Sequence, residues 1–103
     1  MMTKKTFDLT KGEAYLLFTS VMTIASRNKQ ETFLNYELSV KLLSIKKALQ
    51  LTMDALEEAK VTIQEVFSDR VTAEYELPVF SEEDLKVFIK GPDELEIFEK
   101  LVG

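Results

Sequence analysis

The sequence predicts a mainly α protein: a helical hairpin with one long helix, a minor β element and short C-terminal helices. Three observations predict it. Thr10 and Glu13 form the pattern that opens a helix, in which each side chain satisfies a backbone N–H of the first turn. From Leu38 to Val66, apolar residues recur at alternating spacings of 4 and 3, the stripe of one helix face. Val71, Ala73, Tyr75 and Leu77 then alternate with Thr72, Glu74 and Glu76, the rhythm of a half-buried strand.

The Thr10/Glu13 pattern places the first helix at about Lys11 to Arg27. Ala14, Leu17, Phe18, Val21, Ile24 and Ala25 follow the spacing of a buried face, while Tyr15, Leu16 and Met22 put apolar surface elsewhere on the cylinder. One contact face does not use all of them. The uncharged run Ala14 to Ala25 is too short for a membrane span, which needs about 20 apolar residues, and it contains Thr19, Ser20 and Thr23.

After the polar break Asn28 to Thr32, the long helix is expected from about Asn35 to Ser68. Its seam is Leu38, Leu42, Ile45, Leu49, Thr52, Leu56, Ala59, Ile63 and Val66, interrupted only by Thr52. About 34 helical residues extend about 50 Å, so the helix should overhang its own domain, and the first helix can cover at most about half of the seam. Lys41, Lys46 and Lys47 lie in the first half, and Asp54, Glu57, Glu58 and Glu65 in the second. The C-terminal segment and a second copy of the chain are the candidates to cover the rest, and the charges favour including the copy: antiparallel pairing about a two-fold axis sets the basic half of one copy against the acidic half of the other, a homodimer.

Val71 to Leu77 needs a strand partner, either Thr6 to Leu9 or a strand of a second copy, and without one it is merely extended; Pro78 ends the strand or confines it to an edge. In the tail, Ser81 caps a helix over EEDLKVFIK, and the Gly91-Pro92 break opens a second over DELEIFEKLV. A strand at Leu85 to Lys90 competes with the first of these.

At 103 residues, 46% of them hydrophobic, the chain is expected to form a single helical domain over residues 1–103 with a modest core. A net charge of −5 argues against nucleic acid as a partner. The start of the chain has no apolar run after its lysines and there is no Cys, so a cytoplasmic location is expected.

There is no His, the commonest general base and metal ligand. None of the serines lies in a G-x-S-x-G turn, and with Gly12, Gly91 and Gly103 the only glycines, no phosphate-binding loop exists. Glu82, Glu83 and Asp84 are the acids expected in a helix's first turn, and Lys46-Lys47 reads as a solvated helix face. No catalytic, cofactor-binding or metal residues are expected. Residues with apolar surface to spare, and hence candidates for an interface, are Tyr15, Leu16, Met22, Leu38, Leu42, Ile45, Leu49, Leu56 and Ile63.

The order LTKGEAYLLFTSV, NYELSVKLLSIKKALQ, LEEAKVTIQEVF, YELPVFSEEDL and DELEIFEKLV resembles a loose group of small tailed-bacteriophage proteins. Its members open with a short strand and helix, continue into a long helix that ends in a stretch like Glu57-Glu58-Ala59-Lys60, and finish with short segments. A glycine is expected after that helix and is absent here. The resemblance implies no catalytic residues. Together these readings point to a non-catalytic interaction or assembly protein with a protein partner. An acidic inhibitor occupying a basic site on a host nucleic-acid enzyme is the alternative.

Overall fold

The computed structural model describes residues 2–103. Their element order is β1 (Lys4–Thr10), α1 (Lys11–Gln30), α2 (Tyr36–Glu58), α3 (Ile63–Ser68), β2 (Thr72–Pro78), α4 (Glu82–Phe88) and α5 (Gly91–Glu99). The architecture is mainly α, with one two-stranded sheet. Its radius of gyration is 13.6 Å, close to the roughly 13 Å of a compact chain of this length.

The strand pairing expected from the alternation is present. β1 and β2 run antiparallel, with Phe7 opposite Tyr75 and Leu9 opposite Ala73. Leu9 and Leu77 are buried, with Phe7 and Tyr75 half-buried beside them. The other face is exposed and carries Asp8 directly across from Glu74, and Thr6 across from Glu76. Val71 and Ala73, expected on the buried face, are exposed because the chain enters the sheet at its solvent end.

α1 opens as expected: Thr10 Oγ1 accepts from the Glu13 amide at 3.1 Å and Glu13 Oε1 from the Thr10 amide at 2.9 Å. The helix runs to Gln30, past the expected end at Arg27, because exposed polar residues continue a helix at little cost. Ala14, Leu17, Val21 and Ile24 are buried and Phe18 half-buried, but Ala25, expected on the same face, is exposed. The turn into α2 is closed by Asn28 Oδ1, which accepts from the Phe33 and Leu34 amides, and by Asn35, whose side chain caps α2.

The long helix of the hairpin is α2, but it ends well before the expected Ser68. α2 stops at Glu58, and the chain reverses through Lys60, which has φ 54°. The Lys60 amide donates to the Glu57 carbonyl and the Val61 amide to the Leu56 carbonyl, the paired bonds of a left-handed helix stop. Thr62 Oγ1 then accepts from the Glu65 amide and starts α3. Apolar spacing alone does not register this stop, because the seam continues in phase while the backbone turns. Leu38, Leu42, Ile45 and Leu49 form the core stripe of α2, and Val66 is buried from α3. Leu56 is half-buried, while Ala59 and Ile63 are exposed. Thr52, the interruption in the seam, lies 2.9 Å from the Tyr75 hydroxyl in a hydrogen bond that ties α2 to β2.

The reversal brings α3 back onto the start of α1. Phe67 meets Tyr15 edge to face at 5.9 Å, and Lys11 pairs with Asp69 at 2.9 Å. Gly12 makes this approach possible, since a Cβ there would lie 2.8 Å from the Phe67 ring.

The tail is helical, as expected. Ser81 and Asp84 form a reciprocal cap on α4, and Leu85 to Phe88 belong to that helix rather than to a strand. Gly91, with φ 81°, makes the turn into α5, a conformation glycine adopts without a Cβ penalty. Phe80, Phe88 and Phe98 pack mutually edge to face, with centroids 5.1 to 5.9 Å apart. Phe80 is clasped by Leu101 and Gly103, donating its amide to the Leu101 carbonyl and accepting the Gly103 amide.

Candidate functional site

α5 lies antiparallel to α1 and is pinned at both ends. At one end the Arg27 guanidinium makes hydrogen bonds of 2.8 and 2.9 Å to the two oxygens of Glu94, and a further one of 2.8 Å to the Phe88 carbonyl. Glu94 also accepts the Lys90 amide. Burial pushes the Glu94 carboxyl up. The hydrogen bonds from Arg27 and Lys90, with the positive charges beside them, outweigh burial and hold it below its ordinary value of 4.5. At the other end Lys100 pairs with Glu13, the residue that also caps α1.

Between these pins the short α5 leaves a groove on each side. The first, about 450 Å³, lies between α5 and α1. Its floor is Leu9, Leu17, Ile97 and Leu101, Leu16 forms a wall, and Glu13, Asp93, Glu96 and Lys100 stand around it. The second, about 820 Å³, lies between α5 and α4, over Leu85, Ile89, Leu95 and Val102, with Glu82, Lys86 and Glu99 around it. An apolar floor with a few polar groups around it is the usual make-up of a binding concavity.

A buried lysine organises the neighbouring region. Lys41 Nζ donates to the Val79 carbonyl at 2.9 Å, meets Asp84 at 3.3 Å and Glu37 at 3.8 Å, and lies 5.2 Å from the centre of the Phe80 ring. Burial raises the Asp84 carboxyl, but the Ser81 backbone amide and the Lys41 ammonium together hold it below 3.8. This cluster fastens α2 to the start of α4, and Asp84 serves both as helix cap and as ion partner.

No protein-family model matches the chain, and no curated protein or solved structure matches it. No helix among the described residues is long and apolar enough to cross a membrane. Nor do three His, Cys, Asp or Glu side chains among them group as ligands for a metal ion.

The residues expected at an interface separate into three sets. Leu38, Leu42, Ile45 and Leu49 have relative exposures of 0 to 3% and belong to the core, where α1 and the sheet cover them, so they offer no surface. Tyr15 and Leu56 are half-buried, Tyr15 against Phe67. Leu16, Met22 and Ile63 are exposed, and of these only Leu16 lines a groove. The sequence does not mark Asp93, Glu96, Ile97 and Lys100 as groove residues. The amphipathic spacing of DELEIFEKLV marks their helix, but its position on α1 depends on Arg27 and Glu13, far away in sequence. Lys41 reads in the sequence only as part of the basic half of the long helix, since nothing in the pattern around it separates a buried lysine from a solvated one.

Proposed function

We propose that the protein is a non-catalytic protein–protein interaction or assembly protein, which receives an apolar segment of its partner beside α5. The observation that carries this reading is the pair of grooves flanking that helix, where apolar side chains from β1, α1, α4 and α5 line concave surface open to solvent. The carboxyl groups with displaced proton equilibria, Asp69, Asp84 and Glu94, support a non-catalytic role: each is taken up by an ion pair, a turn or a helix cap, and none lines a groove. A sequence without His or Cys points the same way.

In this reading the protein works in the cytoplasm as a homodimer and uses no cofactor. The dimer surface is the outer face of α2, where Tyr36, Leu43 and Leu51 are 85%, 48% and 82% exposed. Lys46 and Lys47 precede Asp54, Glu57 and Glu58 along that helix, so two antiparallel copies oppose unlike charges. The resemblance to small tailed-bacteriophage proteins fits an assembly role.

The test is an NMR titration of the labelled protein with amphipathic helical peptides, some basic and some acidic. Amide signals of α1, α4 and α5 are expected to move. If signals move only outside these helices, or none moves at millimolar peptide, the docking reading is lost.

The alternative, an acidic inhibitor of a nucleic-acid enzyme, draws on the exposed sheet face that carries Asp8, Glu74 and Glu76. It requires inhibition of such an enzyme that fades steeply with salt and disappears in Asp8→Lys/Glu74→Lys.

A further inference from the structure

Building on the docking reading above, we propose that the groove between α1 and α5 is specific for a basic amphipathic helix. Its apolar stripe lies over Leu16 and Ile97, and its Lys or Arg residues reach Asp93 and Glu96.

The charges around the groove that have no partner select the ligand. Lys100 is spent on Glu13, so that end of the groove is close to neutral. Asp93 and Glu96 take part in none of the ion pairs among the described residues. Both are exposed, and both border the groove from α5. At i and i+3 they lie on one side of that helix, about 4.5 Å apart along its axis. The neighbouring carboxylate Glu94 does not line the groove and is consumed by Arg27. What remains is an apolar trough with two unneutralised carboxylates along one edge.

A neutral apolar segment would fill the trough but leave these two charges partly desolvated and unpaired, which weakens binding. An acidic segment adds like-charge repulsion. A cationic segment neutralises both, and a helix places a cation every three or four residues beside its apolar stripe, matching the i, i+3 spacing of Asp93 and Glu96. The chain's net charge of −5 acts in the same direction by steering a basic partner towards it.

The experiment uses the full chain and three labelled helical peptides of about 14 residues, roughly four turns. All three share a leucine stripe, and their polar faces are Lys, Gln or Glu. Binding is read by fluorescence anisotropy. The Lys peptide should bind at least about tenfold more tightly than the Glu peptide, and its affinity should fall several-fold between about 0.05 and about 0.5 M salt. Asp93→Lys/Glu96→Lys, both exposed and outside the core, should reverse the order of the Lys and Glu peptides while the circular dichroism spectrum stays unchanged. Leu16→Ser, which removes apolar wall without adding charge, should weaken all three peptides.

Equal binding of the Lys and Glu peptides, or an unchanged order in the Asp93/Glu96 double variant, would overturn the basic-partner inference and leave apolar docking standing. Failure of all three peptides to bind would remove both.

Discussion

The Arg27 guanidinium, in the last turn of α1, grips the Glu94 carboxylate, in the first turn of α5, through two parallel hydrogen bonds across 67 positions of sequence. The fork geometry of guanidinium and carboxylate fixes direction as well as distance, so the pair sets the angle at which α5 crosses α1. Both groups also complement helix dipoles, the cation at a C-terminus and the anion at an N-terminus. The groove proposed for the partner exists because this pair and Glu13–Lys100 hold α5 at its two ends.

Glu94→Gln keeps the shape and removes the charge. It should destabilise the fold by about 2 kcal/mol in urea unfolding, because it leaves a largely buried guanidinium without its anion. The cost should depend on pH. Glu94 titrates below 4.5 in the folded protein, so its contribution is complete above that value and is lost as pH falls through the folded value. Wild type and variant should therefore converge in stability at low pH. A gap that persists unchanged well below pH 4 would contradict this account.

Lys41 tests whether a buried charge is there for stability. Its stem packs in the core and its ammonium satisfies the Val79 carbonyl and Asp84. Lys41→Ala removes packing and partners together and should cost about 3 kcal/mol. Lys41→Met keeps most of the volume, and since Asp84 is partly exposed and can be solvated, it should cost only about 1 kcal/mol. In either variant the Asp84 carboxyl should titrate at higher pH than in wild type, since the positive charge that lowers it is gone. NMR titration of the Asp84 side chain checks the direction.

Local signals in the sequence read through to the structure where one stretch of chain decides the outcome. Thr10 and Glu13, Asn35, Ser81 and the Gly91-Pro92 break all act within about one turn, and all are where their spacing puts them. The strand pair was also legible, because the alternation of Val71 to Leu77 and the short apolar-polar run Thr6 to Leu9 each mark a half-buried strand within a few residues. The stop after Glu58 was not. Thr62 and Glu65 are spaced as a helix start, but the apolar seam runs through them without a change of phase, and the left-handed position falls on Lys60 instead of glycine. The grooves could not be read at all, since they depend on where α5 lands on α1.

Lys60 occupies the left-handed region, with φ 54°. A residue with a Cβ in the left-handed region costs about 1 kcal/mol relative to glycine, and the two hydrogen bonds that require this conformation are backbone bonds. Lys60→Gly should therefore stabilise the protein by about 0.5 to 1 kcal/mol, part of the gain being offset by the freer unfolded chain. A destabilised Lys60→Gly in thermal unfolding would mean that the lysine side chain makes a contribution larger than its backbone strain. Lys60→Ala retains the strain and separates the two effects.

The proposed dimer rests on the outer face of α2 and is checked by mass. Light scattering on a sizing column should give about twice the 11.8 kDa of the chain. Leu51, 82% exposed near the middle of that face, should contribute about 1.5 kcal/mol from each copy, so Leu51→Glu should weaken the dimer by roughly a hundredfold. The charges make the antiparallel direction testable. Lys47→Asp and Asp54→Lys each turn an attractive pair into a repulsive one, twice over by symmetry, and at about 0.5 kcal/mol per exposed pair each should weaken association several-fold. Combined in one chain they restore opposite charges across the axis and should recover the wild-type mass. A double variant that stays as weak as the singles would rule out that pairing, and a monomeric wild type at high concentration would rule out the dimer.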